Sequence, residues 1–163
     1  SSDLIGNDMR KITILIFTLL TVALAAPLSA ANKDPNLKAI KARQGDMQLR
    51  SFNAGPLFGM AKGKIPYDAE LASTLANNLK LLATMNHDRA WPGGSGADKY
   101  METDAKPEIW STYPKVAEAG KKYAKAVNEL ASAAGNGLDA LRANIGALGK
   151  GCKGCHDDFR EKK

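Results

Sequence analysis

Seven residues near the end of the chain, Leu138, Leu141, Ile145, Leu148, Cys152, Cys155 and Phe159, follow one another in alternating steps of three and four. Each residue of an α-helix turns the chain by about 100°, so this spacing gathers all seven on one face. The stripe predicts a long helix that buries this face against other helices, with both cysteines of the chain on its seam.

Three further stretches carry the same period. From Asn36 to about Lys62, Leu37, Ile40, Met47, Ala54 and Phe58 share a face, and Asp34-Pro35 supplies a cap and a first turn. Pro56 lies inside this stretch and is expected to kink the helix or break it in two. A second helix opens at Pro66 and Asp68, carries Ala72, Leu75, Leu79 and Leu82 along one face and ends near Asn86. A third carries Val116, Tyr123, Val127 and Leu130 and stops at Gly135-Asn136-Gly137. Between the second and third, residues 87–107 hold Pro92, Gly93, Gly94, Gly96 and Pro107 without sustained periodicity, which makes them the one long connection. Two short connections and one long one predict an all-α protein, an antiparallel four-helix bundle with helices roughly 30 to 40 Å long.

Composition agrees with that architecture and narrows the function. The chain has 163 residues, 44 % of them hydrophobic, 25 % charged and only 6 % aromatic, which suits one helical domain and excludes a large multidomain enzyme. Two cysteines cannot build a disulfide scaffold. The net charge of +6 has no accompanying nucleic-acid motif, so no nucleic-acid role is expected.

The N-terminal part reads as a targeting segment rather than as fold. Residues 1–8 precede Met9 and are taken as upstream sequence. Met9-Arg10-Lys11, the apolar run from Ile12 to Ala26 and the small residues around Ser29-Ala30-Ala31 make 9–31 a signal peptide, cleaved after Ala30 or Ala31. The run is shorter than the roughly 20 residues that span a bilayer, so no stable membrane insertion is expected of the mature 32–163.

The chain's only cysteines form Cys152-Lys153-Gly154-Cys155-His156. Two thiols three residues apart on a helix lie on the same side, where each can add to one haem vinyl group while the next residue offers an imidazole to the iron. Other uses of the motif fit less well. A thioredoxin-like pair belongs at a helix N-terminus, where the macrodipole favours a thiolate. A zinc site drawing on His87 would need adjacent residues, Cys155 and His156, to share one small ion. A plain disulfide explains neither the histidine nor the burial.

The attachment motif on the last helix, together with Arg43-Gln44, Pro66-Tyr67-Asp68-Ala69 and Ala105-Lys106-Pro107-Glu108-Ile109-Trp110, resembles the class II cytochromes c, in particular the cytochrome c-prime family. The likeness spans the whole mature chain. It implies haem c bound covalently through Cys152 and Cys155, with His156 as the iron ligand and Arg160 as a basic residue one turn beyond it. It also implies that Arg43 and Gln44 contact the haem, the arginine as a forked donor to a propionate, and that Asp104 lies at the haem edge. Met47 would cover the distal face and leave the iron five-coordinate and high-spin; the other reading makes it the sixth ligand of a low-spin electron carrier.

The resemblance further implies a periplasmic protein that transfers electrons or binds nitric oxide or carbon monoxide, and not an enzyme. A redox partner protein and a homodimer through the first two helices are expected with it. Exposed Leu49 and Phe52 are the contact to inspect for the dimer. Lys121, Lys122, Lys125, Lys162 and Lys163 are a solvated face that could assist an acidic partner.

Overall fold

The computed structural model describes residues 34–162, and the readings made for 1–31 lie outside them. Helix α1 spans Pro35–Ala61. It starts where the sequence places it, because the Asp34 carboxylate accepts from the Asn36 amide at 2.8 Å and Pro35 needs no partner for an N–H it lacks.

Pro56 does not break α1, which is one continuous element. The proline removes a single hydrogen bond close to the helix end, and Leu57 and Met60 beyond it are 0 % and 1 % exposed. Burial of these two side chains holds the last turns in register.

Helix α2 spans Ala69–Thr84 behind the Asp68 cap and buries Ala72, Leu75, Ala76 and Leu79. The long connection contains only a 3-10 turn at Asp88–Ala90. The third helix, expected in one piece, comes as a single turn α3 (Glu108–Ser111) and then α4 (Tyr113–Ala133). Thr112 between them leaves helical geometry, and Pro114 cannot donate the bond back to Trp110 that would have joined the two. Helix α5 spans Leu138–Phe159 after Gly137, whose φ of 111° suits a residue without a Cβ.

The four long helices pack in a ring: α1 lies on α2, α2 on α4, α4 on α5 and α5 on α1. Leu57, Leu79, Val127, Leu130, Leu141 and Leu148 fill its centre. One tyrosine pins the turns at one end: Tyr67 Oη donates to the Ala134 carbonyl at 2.8 Å and accepts from the Gly137 amide at 2.9 Å. At the other end Ala105, Ile109 and Phe159 form a second, smaller core against Trp91, Trp110 and Val116. The connection is stitched to the end of α5 there, with Lys106 N donating to Phe159 O and Glu161 N to Asp104 O. Among the described residues, no helix is long and apolar enough to cross a membrane.

Candidate functional site

Between α1 and the end of α5 lies a cleft of about 810 Å³, within the roughly 300–1,000 Å³ range of sites that hold cofactor-sized molecules. Arg43, Gln44, Met47, Gln48 and Ser51 form one wall, and helical spacing explains why these five share a face. Cys155, His156, Phe159 and Arg160 form the facing wall. Trp91, Thr103, Asp104, Ile109 and Trp110 close it with mostly aromatic and apolar surface. The cleft therefore gathers seven of the eight residues singled out from the sequence, drawn from three separate segments.

Cys152, the eighth, sits one turn before Cys155, against the main core. Cys155 packs against the second core, so the two thiols straddle the junction of the two apolar clusters. Both are half-buried rather than fully enclosed on the seam. Burial pushes both thiols above their ordinary range; Asp158 and Cys152 raise Cys155 further, and Arg50 pulls Cys152 partly back. Each thiol stays protonated at neutral pH.

His156 moves the other way: partial desolvation lowers it, the nearby Arg160 charge lowers it further, and Asp157 opposes both. A neutral imidazole is the form that ligates iron. Two protonated thiols, a neutral imidazole and an apolar cleft are a donor set that fits haem c.

Arg43 is 3 % exposed, so it is not a solvated helix face. One of its terminal nitrogens donates to Ser95 Oγ at 2.7 Å and the other to Thr103 Oγ1 at 3.0 Å and to the Ser95 carbonyl. Its guanidinium lies 4.8 Å from the centre of the Trp91 ring. With a further bond from the first nitrogen to the Ala90 carbonyl at 3.3 Å, the forked N–H groups expected to serve a propionate are instead taken up in tying the long connection to α1. Gln44 donates to the Glu102 carbonyl at 2.6 Å and adds a second tie.

Asp104 pairs with Arg160 at 3.3 Å, which joins the connection to the residue beyond α5. Met47 stands on the cleft wall and is not part of the main core. Met60 fills that place.

Sequence reasoning passed over a second polar cluster on α1. Arg50 donates to Asp46 at 2.9 Å and to the Leu82 carbonyl at 2.8 Å, stands 3.0 Å from His87 Nε2, and lies 5.0 Å from the Tyr123 ring centre. The four-residue spacing of Asp46 and Arg50 was its only local signal. Ser95 and Thr103 had none, because their contacts to Arg43 cross 52 and 60 residues of chain.

A helix bundle with a Cys-x-x-Cys-His segment on its last helix, opening into an apolar cleft, defines a haem protein of the c type. Residues 38–160 match the sequence profile of the family described as Cytochrome C'. A cytochrome c' of Cereibacter sphaeroides is 36 % identical over 95 % of this chain and 100 % of its own length. A solved cytochrome c' structure from Rhodobacter sphaeroides superposes with a TM-score of 0.77 at 38 % identity, covering 78 % of this chain and 98 % of that one. Two variants of the Alcaligenes xylosoxidans protein, one with bound NO and one with bound carbon monoxide, each align at 32 % identity and a TM-score of 0.69 over 78 % of this chain and 97 % of theirs. The chain belongs to the cytochrome c' family. Its cofactor is covalently bound haem c, and its two cysteines are the pair the attachment needs.

Proposed function

We propose that the chain is an exported, periplasmic cytochrome with a five-coordinate, high-spin haem that binds nitric oxide or carbon monoxide and exchanges electrons with a partner protein. The signal peptide read from residues 9–31 supports export. Bound haem would supply a one-electron ferric–ferrous couple and an open axial position.

In this reading Cys152 and Cys155 anchor the group through thioether bonds, and His156 is the iron ligand from the protein. Partial burial favours the neutral form of that imidazole, and the charge of Arg160, paired with Asp104, adds to the effect. Arg43 would offer a propionate its charge rather than its fork, whose N–H groups are held by Ala90, Ser95 and Thr103, with Gln44 beside it. The apolar side chains of the cleft exclude water from the iron.

The position of Met47 carries the five-coordinate reading. A permanent axial ligand needs a side chain locked by packing. Met47 stands on the α1 wall of the cleft between Gln44 and Gln48, across from the wall that carries His156. A flexible thioether so placed shields the second axial position without occupying it.

The test is optical. The ferric holoprotein should be high-spin, and the ferrous form should take carbon monoxide without displacing a protein ligand. Met47→Ala should keep the resting iron high-spin and cost about 2 kcal/mol of stability, the low end of the roughly 2–5 kcal/mol of a fully buried methionine, because Met47 lies outside the main core. A far-red methionine-to-iron charge-transfer band that vanishes in Met47→Ala would overturn the proposal in favour of a six-coordinate carrier.

A further inference from the structure

Helices α4 and α5 leave a second groove on the outside of the bundle, of about 680 Å³. Its α5 side carries Ala147, Lys150, Gly151, Gly154, Cys155 and Asp158, and at Gly154 the helix backbone lies open to a partner surface. Four lysines border it: Lys115, Lys122, Lys125 and Lys150.

Not all of that charge is free. Lys122 pairs with Glu118 at 2.8 Å and Lys125 faces Glu129 at 3.8 Å. Lys115 and Lys150 are exposed and make no ion pair among the described residues. With Glu118 and Glu129 taken up by Lys122 and Lys125, the two unpaired lysines of the groove stand against the one remaining carboxylate of its lining, Asp158. The face has a surplus of positive charge, which favours an acidic surface.

One residue links this groove to the haem cleft. Cys155 lines both, so at this thioether anchor the wall between the outer groove and the cofactor is a single side chain thick. The proposal rests on the haem reading given above and goes beyond it. We propose that an acidic electron-transfer protein docks on the α4–α5 face around Lys115 and Lys150 and that its electron enters at Cys155. The docked donor gives up one electron and is oxidised by one unit, and ferric iron becomes ferrous. No bond is made or broken and no proton moves.

The test uses the holoprotein with a reduced flavodoxin, a strongly acidic one-electron donor, as the probe. A carbodiimide that joins donor carboxylates to lysines should give cross-links at Lys115 and Lys150 and none at Lys80 on α2. The double variant Lys115→Glu, Lys150→Glu should lower the second-order rate of reduction about tenfold or more at low salt, with the difference shrinking as salt rises. Lys80→Glu should leave that rate within about twofold, as expected for a charge outside the docking site. Cross-links confined to other faces, an unchanged rate in the double variant, or equal slowing by Lys80→Glu would overturn the proposal. A purified chain without haem absorption would overturn the function reading and this proposal together. An intact haem spectrum with rates indifferent to these lysines would overturn the docking site alone.

Discussion

Arg43 joins structure to site in a single side chain. A buried guanidinium loses its hydration, and burial here lowers its pKa. The cost is offset by hydrogen bonds to Ser95 and Thr103 and by the face of Trp91. Replacing Arg43 with alanine strands these oxygens in a closed space and should cost about 3 kcal/mol in urea unfolding, the scale of losing two charge-assisted bonds. Arg43→Lys should recover only part of that, because one ammonium cannot serve both partners as a planar fork does. Equal stability of the alanine variant and the parent would show that the connection is held without Arg43. The sequence marked Arg43 as a site residue, and it lies in the cleft. Its structural partners were illegible, because a hydrogen bond over 60 residues leaves no local pattern.

At the scale of elements, periodicity worked wherever a helix had one face to bury. The starts of α1 and α2 and the course of α5 all follow from caps and from the three-and-four spacing. It worked less well at prolines, whose effect depends on what surrounds them. Pro56 leaves α1 a single element, whereas Pro114 separates α3 from α4. The long connection was legible only as a connection. Its course is set by close packing at Gly96, where an added Cβ would lie 2.7 Å from Asp98 Oδ1, 3.0 Å from Trp110 and 3.2 Å from the Ala105 carbonyl. The Asp98 side chain can swing away, but the indole and the backbone carbonyl are fixed by the second core. Gly96→Ala should therefore cost roughly 1–3 kcal/mol, as overpacking does. It should also loosen the Arg43 contacts, read as faster amide exchange at Ala97, which donates to the Ala105 carbonyl at 2.7 Å. Unchanged stability and exchange would show that the connection gives way freely.

For the whole molecule, α1 is the element to watch, because it carries three faces at once. Ala54 and Leu57 turn to the interior, and Arg43, Gln44, Met47 and Ser51 turn to the cleft. Leu49 and Phe52, turned away from both, are 53 % and 76 % exposed. On α2, Leu71 and Leu81 are 42 % and 65 % exposed. Apolar side chains this large on two helices packed against each other support the expected homodimer. In a two-fold dimer every contact occurs twice, so enclosing Phe52 contributes through both copies, roughly 3–6 kcal/mol in all if each burial is worth about 1.5–3. Phe52→Glu removes that term and sets two carboxylates near the axis. Sedimentation of the holoprotein at micromolar concentration should show a dimer for the parent chain and a monomer for Phe52→Glu. The visible spectrum should be the same in both, because the residue lies on a different face of α1 from Met47. A parent chain that sediments as a monomer, or a Phe52→Glu variant that remains paired, would place the dimer elsewhere or remove it. A changed spectrum would mean that the outer and cleft faces of α1 are coupled, and that association reaches the iron.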